Sequence, residues 1–450
     1  MEERKNFRSK LGIILASAGG AVGLGNVWRF PTEVGNNGGA AFILIYILCV
    51  VFIGLPVMLS EFVIGRSTHS NAITAFSKLA PGSWWRIEGI GGVFVAFLIL
   101  SYYVVISGWT LFYMAESLVG ALAVEQDYQT FFTEFVSHPW LPIVFLVLVL
   151  LLSHIIIMHG VQSGIERCSK IFMPVLFVCL CVLVVCALRM PGASDGISFL
   201  LKPDFSKVTA NAVLSAMGQA FFSLSLAMGS LCTYASYFSS DARLVKTAAS
   251  VGCIDTIVAV LSGFIIFPAV FSVSGVAADA GPGLVFITLP NVFTMAFHGY
   301  PILGYVFSGL FYLLLLLAAL TSAMSLHESV AAYVLEVTHI KRKTASALVA
   351  IACATLGAAC SLSFGPWEHV TCFGMTIFDL CDFISSKILL PIGGILICLF
   401  VGWRLDRKLV YNEVTNKGLV PFKMFRIYIM LIRYVVPLAI ALIFVNELFS

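Results

Sequence analysis

Charge is what this chain has least of. Asp, Glu, Lys and Arg make up 11% of its 450 residues while 60% are hydrophobic, and the mean hydropathy is +1.00. Soluble domains carry about a quarter charged residues, so this composition excludes a soluble globular protein and leaves a multi-pass membrane protein. A disulfide framework is absent as well: of the 12 cysteines, nearly all, such as Cys179, Cys181, Cys186, Cys353 and Cys398, sit inside apolar runs as small core residues. No metal-ligand spacing and no nucleophile–base set stands out, which disfavours a membrane enzyme. His154, His159 and His327 are isolated and read as ordinary helix residues. The net charge of +3 says little, because in a membrane protein the placement of charge matters more than its sum.

What is present is arranged in spans. A crossing helix needs roughly 20 apolar residues, and windows of that size give eleven, at about 11–30, 39–65, 88–120, 140–158, 167–190, 208–238, 244–272, 302–336, 344–363, 373–403 and 424–447. The start, MEERKNFRSKLGIILASAGGA, has the basic and apolar parts of a signal peptide, but cleavage there would remove half of the first span. Basic residues mark every second connection: Arg4, Lys5, Arg8 and Lys10 before span 1, Arg66, Lys78 and Arg86 after span 2, Arg243 and Lys246 after span 6, Lys341 to Lys343 after span 8. Alternate connections hold Glu125, Asp127 and Glu134, or Asp279, or Glu368. By the positive-inside rule the N-terminus is cytoplasmic and Ser450 lies outside, in a cell (plasma or inner) membrane. The connection 273–301 reads either as a capping segment over an external opening or as a surface loop.

Span 1 is the unusual one. LGIILASAGGAVGLGNVWRFP, Leu11 to Pro31, carries Gly19, Gly20, Gly23 and Gly25 and then the polar Asn26 and Arg29. Glycine is a poor helix former, so the span is expected to break halfway across. Broken backbone is tolerated in a bilayer only where protein buries it or a wet cavity uses it. Span 6 is expected to break too, at Ser223, Ser225, Ala227, Met228 and Gly229. The two occupy corresponding places in two five-span halves, 1–190 and 208–403, with 424–447 as an extra span of a single transmembrane domain 1–450. Paired interruptions of this kind point to a transporter's binding site.

Charges inside spans need a reason. Glu61 reads as a cap on the freed N–H groups of a broken helix or as a functional carboxylate. Asp255, alone among Ile, Val and Ala, calls for a cation, or for a bond to a neighbour such as Thr256. Ala318, Thr321, Ser322 and Ser325 share one helical face, which suits either a hard cation such as Na⁺ or close helix packing. Lys387 stands five residues beyond Asp382 and eight beyond Asp379, either of which could pair with it, though neither spacing is ideal on a helix.

AGGAVGLGNVWRFP resembles the span 1 signature of the neurotransmitter:sodium symporters. GLPVMLSEFVIGR (54–66), SYYVVISGW (101–109), GQAFFSLSLAMG (218–229) and AALTSAMS (318–325) are similar to the family's spans 2, 3, 6 and 8, and Gly164 with Pro174 reproduces its span 5 spacing. The resemblance implies an all-α LeuT fold: a 5+5 inverted repeat plus one extra span, 11 transmembrane helices, helices 1 and 6 broken. It implies sodium-coupled uptake of an amino acid or amine by alternating access. Carried over residue by residue, one sodium is held by Ala21, Asn26, Ser223 and Asp255, and a second by Gly19, Val22, Ala318, Thr321 and Ser322. The substrate carboxylate lies on Leu24, Gly25 and Tyr103, and its ammonium on Ala21, Phe222 and Ser223. Ile99, Tyr103, Phe222, Ser225, Met228, Ser322 and Leu326 line the side-chain pocket.

That lining is mostly apolar and offers no acid, so a neutral hydrophobic amino acid, aliphatic or aromatic, is the expected guest, with Met228 able to repack around it. Ala227, where the family commonly has Gly, is expected to place a methyl beside the pocket. Arg29 and Asp382 are the expected outer ion pair, with Phe222 as lid; Arg4, Ser236, Tyr237 and Glu336 are expected to close the inner side. Animal relatives use chloride beside the first sodium, at a place matched by Tyr46, Gln219 and Ser223. Asp255 supplies a fixed anion there, so chloride independence is expected. The family's usual twelfth span is missing, which puts in question any dimer that relies on it, so that a monomer in membrane lipid can suffice and the oligomeric state stays open, with no nucleic-acid partner expected. The rival reading is a non-transporting amino-acid sensor on the same fold. Sensors typically carry a soluble signalling tail, and only short ends lie outside the spans here.

Overall fold

The structure, a computed structural model, describes residues 6–123, 127–272, 283–297 and 301–449. Among them helices are the only regular elements, apart from one isolated bridge between Cys372 and Met375. Within the described residues nine helices are long and apolar enough to cross a bilayer: Ala40–Thr68, Arg86–Leu118, Leu141–Met158, Val161–Ala187, Leu244–Phe271, Ile302–Thr338, Arg342–Leu362, Ile377–Arg404 and Phe425–Asn446. A tenth is the bent pair Lys10–Ala21 and Gly25–Asn36, whose halves meet at 59°.

The expected sixth span is two helices, Ala210–Ser223 and Ser230–Ala235. Fourteen residues of helix rise about 21 Å, short of the roughly 30 Å of a hydrocarbon core, so neither half crosses alone.

The expected glycine break falls later than the glycines suggest. The first helix, capped by the Ser9 hydroxyl accepting the Gly12 N–H at 3.0 Å, runs through Gly19 and Gly20 to Ala21. A Cβ on Gly20 would lie 2.7 Å from Ser325 Oγ, and one on Gly19 would lie 3.2 Å from Thr321 Cβ. These two glycines therefore let helix Ile302–Thr338 approach, and the chain opens only at 22–24. The fifth span starts earlier than expected, at Val161. Gly164 lies inside its first, wider turns, so the Gly164–Pro174 stretch is wound in this conformation.

Burial separates centre from rim. In the most apolar 18 residues of Arg86–Leu118, 72% are buried inside the protein, against 39% for Leu141–Met158 and 33% for Val161–Ala187. The first therefore stands in the middle, alongside Ile302–Thr338. The other two turn exposed Val144, Leu148, Leu151, Val178 and Val182 outward, as lipid contact requires.

Connections carry short helices. Of the stretch 273–301, residues 283–297 are described, and they form a buried cap rather than a surface loop. Leu284, Phe286, Leu289 and Phe293 are buried, Phe286 packs on Trp109 and Tyr113, and the Tyr312 hydroxyl donates to the Val285 carbonyl at 2.9 Å. Arg66, placed in a basic connection by the sequence, is in fact buried. It donates to Glu413 Oε2 (2.6 Å) and to the Ala242 carbonyl (2.6 Å), joining three connections.

Candidate functional site

The two broken helices meet at a buried carboxylate. Asp255, fully buried on helix Leu244–Phe271, accepts the Asn26 amide at Oδ1 (2.7 Å) and the hydroxyls of Ser223 (2.8 Å) and Tyr46 (3.2 Å) at Oδ2. Asn26 also donates to Ser223 Oγ (3.1 Å), while its own Oδ1 accepts the Gly23 N–H (2.9 Å). Gln219 Nε2 reaches the Gly25 carbonyl at 3.5 Å. Asn26, Ser223 and Tyr46, which hold Asp255, are all neutral. A desolvated carboxylate among neutral oxygens and amides fits a hard cation.

A second oxygen set lies across the first break. Ser322 Oγ donates to the Val22 carbonyl (3.0 Å), and Thr321 Oγ1 donates to the carbonyls of Leu317 and Ala318 (3.0 Å each). A Cβ on Gly19 would crowd Thr321 at 3.2 Å, so the glycine lets the two helices come close here. Gly19, Val22, Ala318, Thr321 and Ser322 are thus brought together as carbonyls and hydroxyls without a carboxylate. This donor set also fits a hard cation, more weakly charged than the first.

Between the sets is a small cavity. All eleven residues expected to hold substrate line it: Ala21, Leu24, Gly25, Ile99, Tyr103, Phe222, Ser223, Ser225, Met228, Ser322 and Leu326. The Leu24 N–H points at the Tyr103 hydroxyl (3.2 Å), so two of the three donors of the expected carboxylate cradle face one spot. Ser225 Oγ donates to the Gly20 carbonyl (3.0 Å), tying the second break to the first. Ala227 departs from expectation. It does not line this cavity, and its Cβ lies 3.3 Å from where a Gly393 Cβ would stand, so the methyl faces span 10 instead of substrate.

Above Phe222 opens a vestibule of about 550 Å³, lined by Arg29, Glu33, Asp379, Asp382 and Lys387 among others. The expected Arg29–Asp382 pair is unmade in this conformation. Arg29 lies over the Phe222 ring, 4.4 Å from its centroid, and Asp382 Oδ1 accepts the Ser386 hydroxyl at 2.8 Å. Both residues face the same space, so the pair has room to close. Lys387, which helical spacing left without a place, belongs to this vestibule.

The opposite side is sealed by packing. Phe7 donates its N–H to the Tyr237 carbonyl (3.0 Å) and packs on Tyr234, Tyr237 and Phe238. Of the expected inner group, Arg4 lies outside the described residues. Ser236 Oγ donates to the Thr233 carbonyl (2.6 Å) and Glu336 accepts the Asn71 N–H (3.2 Å). Tyr237 donates to Glu328 Oε1 (2.7 Å), and Glu328 pairs with Arg342. In the adjoining loop the Ser239 hydroxyl and then Lys10, 3.3 Å away, hold the Asp241 carboxyl below its ordinary range.

Residues 4–141 and 136–450 match the sequence model of the sodium:neurotransmitter symporter family. The chain belongs to that family. Over 99% of its length it is 38% identical to the uncharacterized sodium-dependent transporter YhdH of Bacillus subtilis (98% of that protein), and over its full length 36% identical to one of Haemophilus influenzae (99% of it). The human sodium- and chloride-dependent taurine transporter is 31% identical over 71% of this chain and 58% of its own. A crystal structure of MhsT in complex with L-phenylalanine superposes with a TM-score of 0.90 at 42% identity, covering 99% of this chain and all of that one. The LeuT fold, the sodium dependence and the role of carrier rather than enzyme follow from this membership.

Sequence reasoning missed three groups of contributors. Gly20 and Ser230 line the cavity but look like packing residues in the sequence. Glu328 and Arg342, 14 positions apart and on different helices, meet only because the chain reverses at 339–341. Glu166 binds the Arg8 N–H (2.8 Å), the Ser9 hydroxyl (2.9 Å) and Lys170 (2.6 Å), fixing the start of span 1 to span 5.

Proposed function

We propose that the chain is a symporter that couples a sodium gradient to uptake of a neutral, hydrophobic L-amino acid, aliphatic or aromatic, without chloride. The observation that carries this reading is Asp255: a buried carboxylate whose hydrogen-bond partners are all neutral, placed where both broken helices end. Ala21, Asn26, Ser223 and Asp255 would hold one sodium, together with the substrate's own carboxylate. Gly19, Val22, Ala318, Thr321 and Ser322 would hold the other. Bound sodium supplies positive charge that steadies the two breaks against each other. The N–H groups of Leu24 and Gly25 at a half-helix start suit the substrate carboxylate, and the carbonyls of Ala21, Phe222 and Ser223 at half-helix ends suit its ammonium.

Ile99, Phe222, Met228 and Leu326 leave the side-chain end apolar. The similarity to a transporter determined with L-phenylalanine supports an aromatic or aliphatic guest. The fixed charge of Asp255 would replace chloride. Arg29 and Asp382 would close the vestibule over Phe222. Arg4, Ser236, Tyr237 and Glu336 would close the inner side.

The wider reading is an eleven-span chain, the two short helices of 210–235 counting as one span, built as repeats 1–190 and 208–403 with 424–447 added. Its N-terminus would be cytoplasmic and its C-terminus external, in the cell membrane. Both oxygen sets and the cavity come from one chain, so a monomer in lipid suffices. The decisive experiment is uptake of labelled Phe, Leu and Trp into proteoliposomes. Accumulation that needs an inward sodium gradient and survives replacement of chloride by gluconate is expected. Binding without accumulation would refute symport in favour of a sensor.

A further inference from the structure

The unwound stretch 224–229 leans on two carboxyl groups. Glu61, on helix Leu55–Thr68, accepts the Ala227 N–H at Oε1 (2.7 Å), and the Cys232 N–H faces the same carboxyl. Its Oε2 is buried and makes no hydrogen bond within the chain. Glu88, in the first turn of helix Arg86–Leu118, is only 4% exposed, and Glu61 1%. Both line one small cavity with Ala72, Phe76, Gly229 and Ile397. A Cβ on Gly393 would lie 3.2 Å from Glu88 Oε1 and 3.3 Å from Ala227 Cβ, so Glu88 and the Ala227 turn meet against one glycine of span 10.

No Lys or Arg is among the residues lining that cavity. The other titratable groups facing the pair are two thiols, Cys232 from helix Ser230–Ala235 and Cys398 from helix Leu390–Leu399. The lining contributed by helix Ala72–Leu79 is Ala72 and Phe76, without charge. Two carboxylates in one desolvated cavity repel, and with no cation beside them one keeps its proton.

We propose that Glu61 and Glu88 form a binding site for a single proton. Glu61, committed to backbone N–H donors, stays the anion, since such bonds favour the charged form. Glu88 carries the proton. Loss of that proton to water leaves two buried anions, and the backbone beside them that belongs to no helix is the stretch 224–229. Ser225 and Met228 of that stretch are walls of the central cavity. Proton occupancy is therefore linked to the shape of the substrate cavity, which makes the proton a ligand of the carrier beside sodium.

The test uses the full-length protein in nanodiscs. An infrared difference spectrum between mildly acidic and alkaline pH should show a carboxylic-acid C=O band lost on alkalinisation. That band should be missing in Glu88→Gln and retained in Glu368→Gln, which alters an exposed loop residue. In parallel, sodium-dependent binding of labelled L-phenylalanine should weaken above the band's midpoint, by up to about tenfold per pH unit, and Glu88→Gln should flatten that slope. If Glu88→Gln does not fold, Glu88→Asp should keep the band and move its midpoint. An identical band in wild type and Glu88→Gln, or an unmoved midpoint in Glu88→Asp, overturns the proposal. The spectrum needs no substrate, so a failure of the amino-acid reading leaves it intact.

Discussion

The two breaks at the centre of this molecule are made in opposite ways. The first is rich in glycine yet uses none of it for unusual backbone: Val22 is extended (φ −66°, ψ 110°), Leu24 is near-helical, and no residue from 19 to 25 has positive φ. Its glycines provide room. A Cβ on Gly23 would lie 2.6 Å from Ser322 Oγ and 3.1 Å from the Tyr103 hydroxyl, and one on Gly25 would touch Phe222 at 3.0 Å. The second break has a single glycine and takes the left-handed conformations: Ser225 at φ 52°, Ala227 at 60° and Gly229 at 66°. For non-glycine residues that region costs on the order of 1–2 kcal/mol each. Glu61, bonded to the Ala227 N–H, and Ser225, bonded to the Gly20 carbonyl, offset it. One break is shaped by what is missing from its side chains and the other by what neighbouring side chains hold.

If that contrast is right, the second break should be the more fragile to loss of a partner. Glu61→Ala should have the largest effect. It leaves the Ala227 N–H buried without an acceptor, a penalty of about 1–3 kcal/mol, and releases two strained residues. A fall in melting temperature with loss of substrate binding is expected from thermal unfolding in detergent, and an unchanged melting temperature would remove Glu61 as the support of the break. Asp255, which joins both breaks through Asn26 and Ser223, comes next. Asp255→Asn should lower uptake in chloride-free buffer by about tenfold or more, equivalent to about 1.4 kcal/mol, with chloride restoring part of it. Uptake that ignores both the substitution and chloride would contradict the assignment.

The first break should respond to added bulk instead. Gly23→Ala forces Ser322 off the Val22 carbonyl, so apparent substrate affinity should drop by about tenfold while the protein still folds. Competition binding beside a melting curve separates the two effects. The smallest change is Ala227→Gly, where relief of the left-handed strain and the added freedom of glycine in the unfolded chain nearly cancel, within about 1 kcal/mol. A large shift in either direction would mean that the Ala227 methyl, packed toward Gly393, matters more than the backbone.

Periodicity and composition made the architecture legible, because bilayer thickness fixes how long an apolar run must be. They placed Ala210–Ser223 in a span and foresaw that it would break. The expected cavity lining, from Ala21 to Leu326, also came together, since its motifs sit on helices that cannot be rearranged without losing the core. Three features were not legible. Gly19 and Gly20 read as helix breakers because a sequence shows a glycine's poor propensity but not the neighbour that needs its space. Ala227 was assigned to the pocket because left-handed backbone, which turns its methyl the other way, leaves no mark on sequence spacing. Glu88 shows no partner in the sequence, and only folding brings it to the cavity of Glu61.

Arg29 has one more consequence. Its guanidinium rests on the Phe222 ring, 4.4 Å from the centroid, while Asp382 is held by Ser386. The ring holds the cation and a hydroxyl holds the carboxylate, so making the pair requires both residues to turn from these partners toward each other. If Arg29 and Asp382 form the proposed outer pair, lid and lock would be successive positions of one latch. A guest that draws Phe222 inward would free the arginine to swing, so that occupancy of the cavity would trigger the door above it.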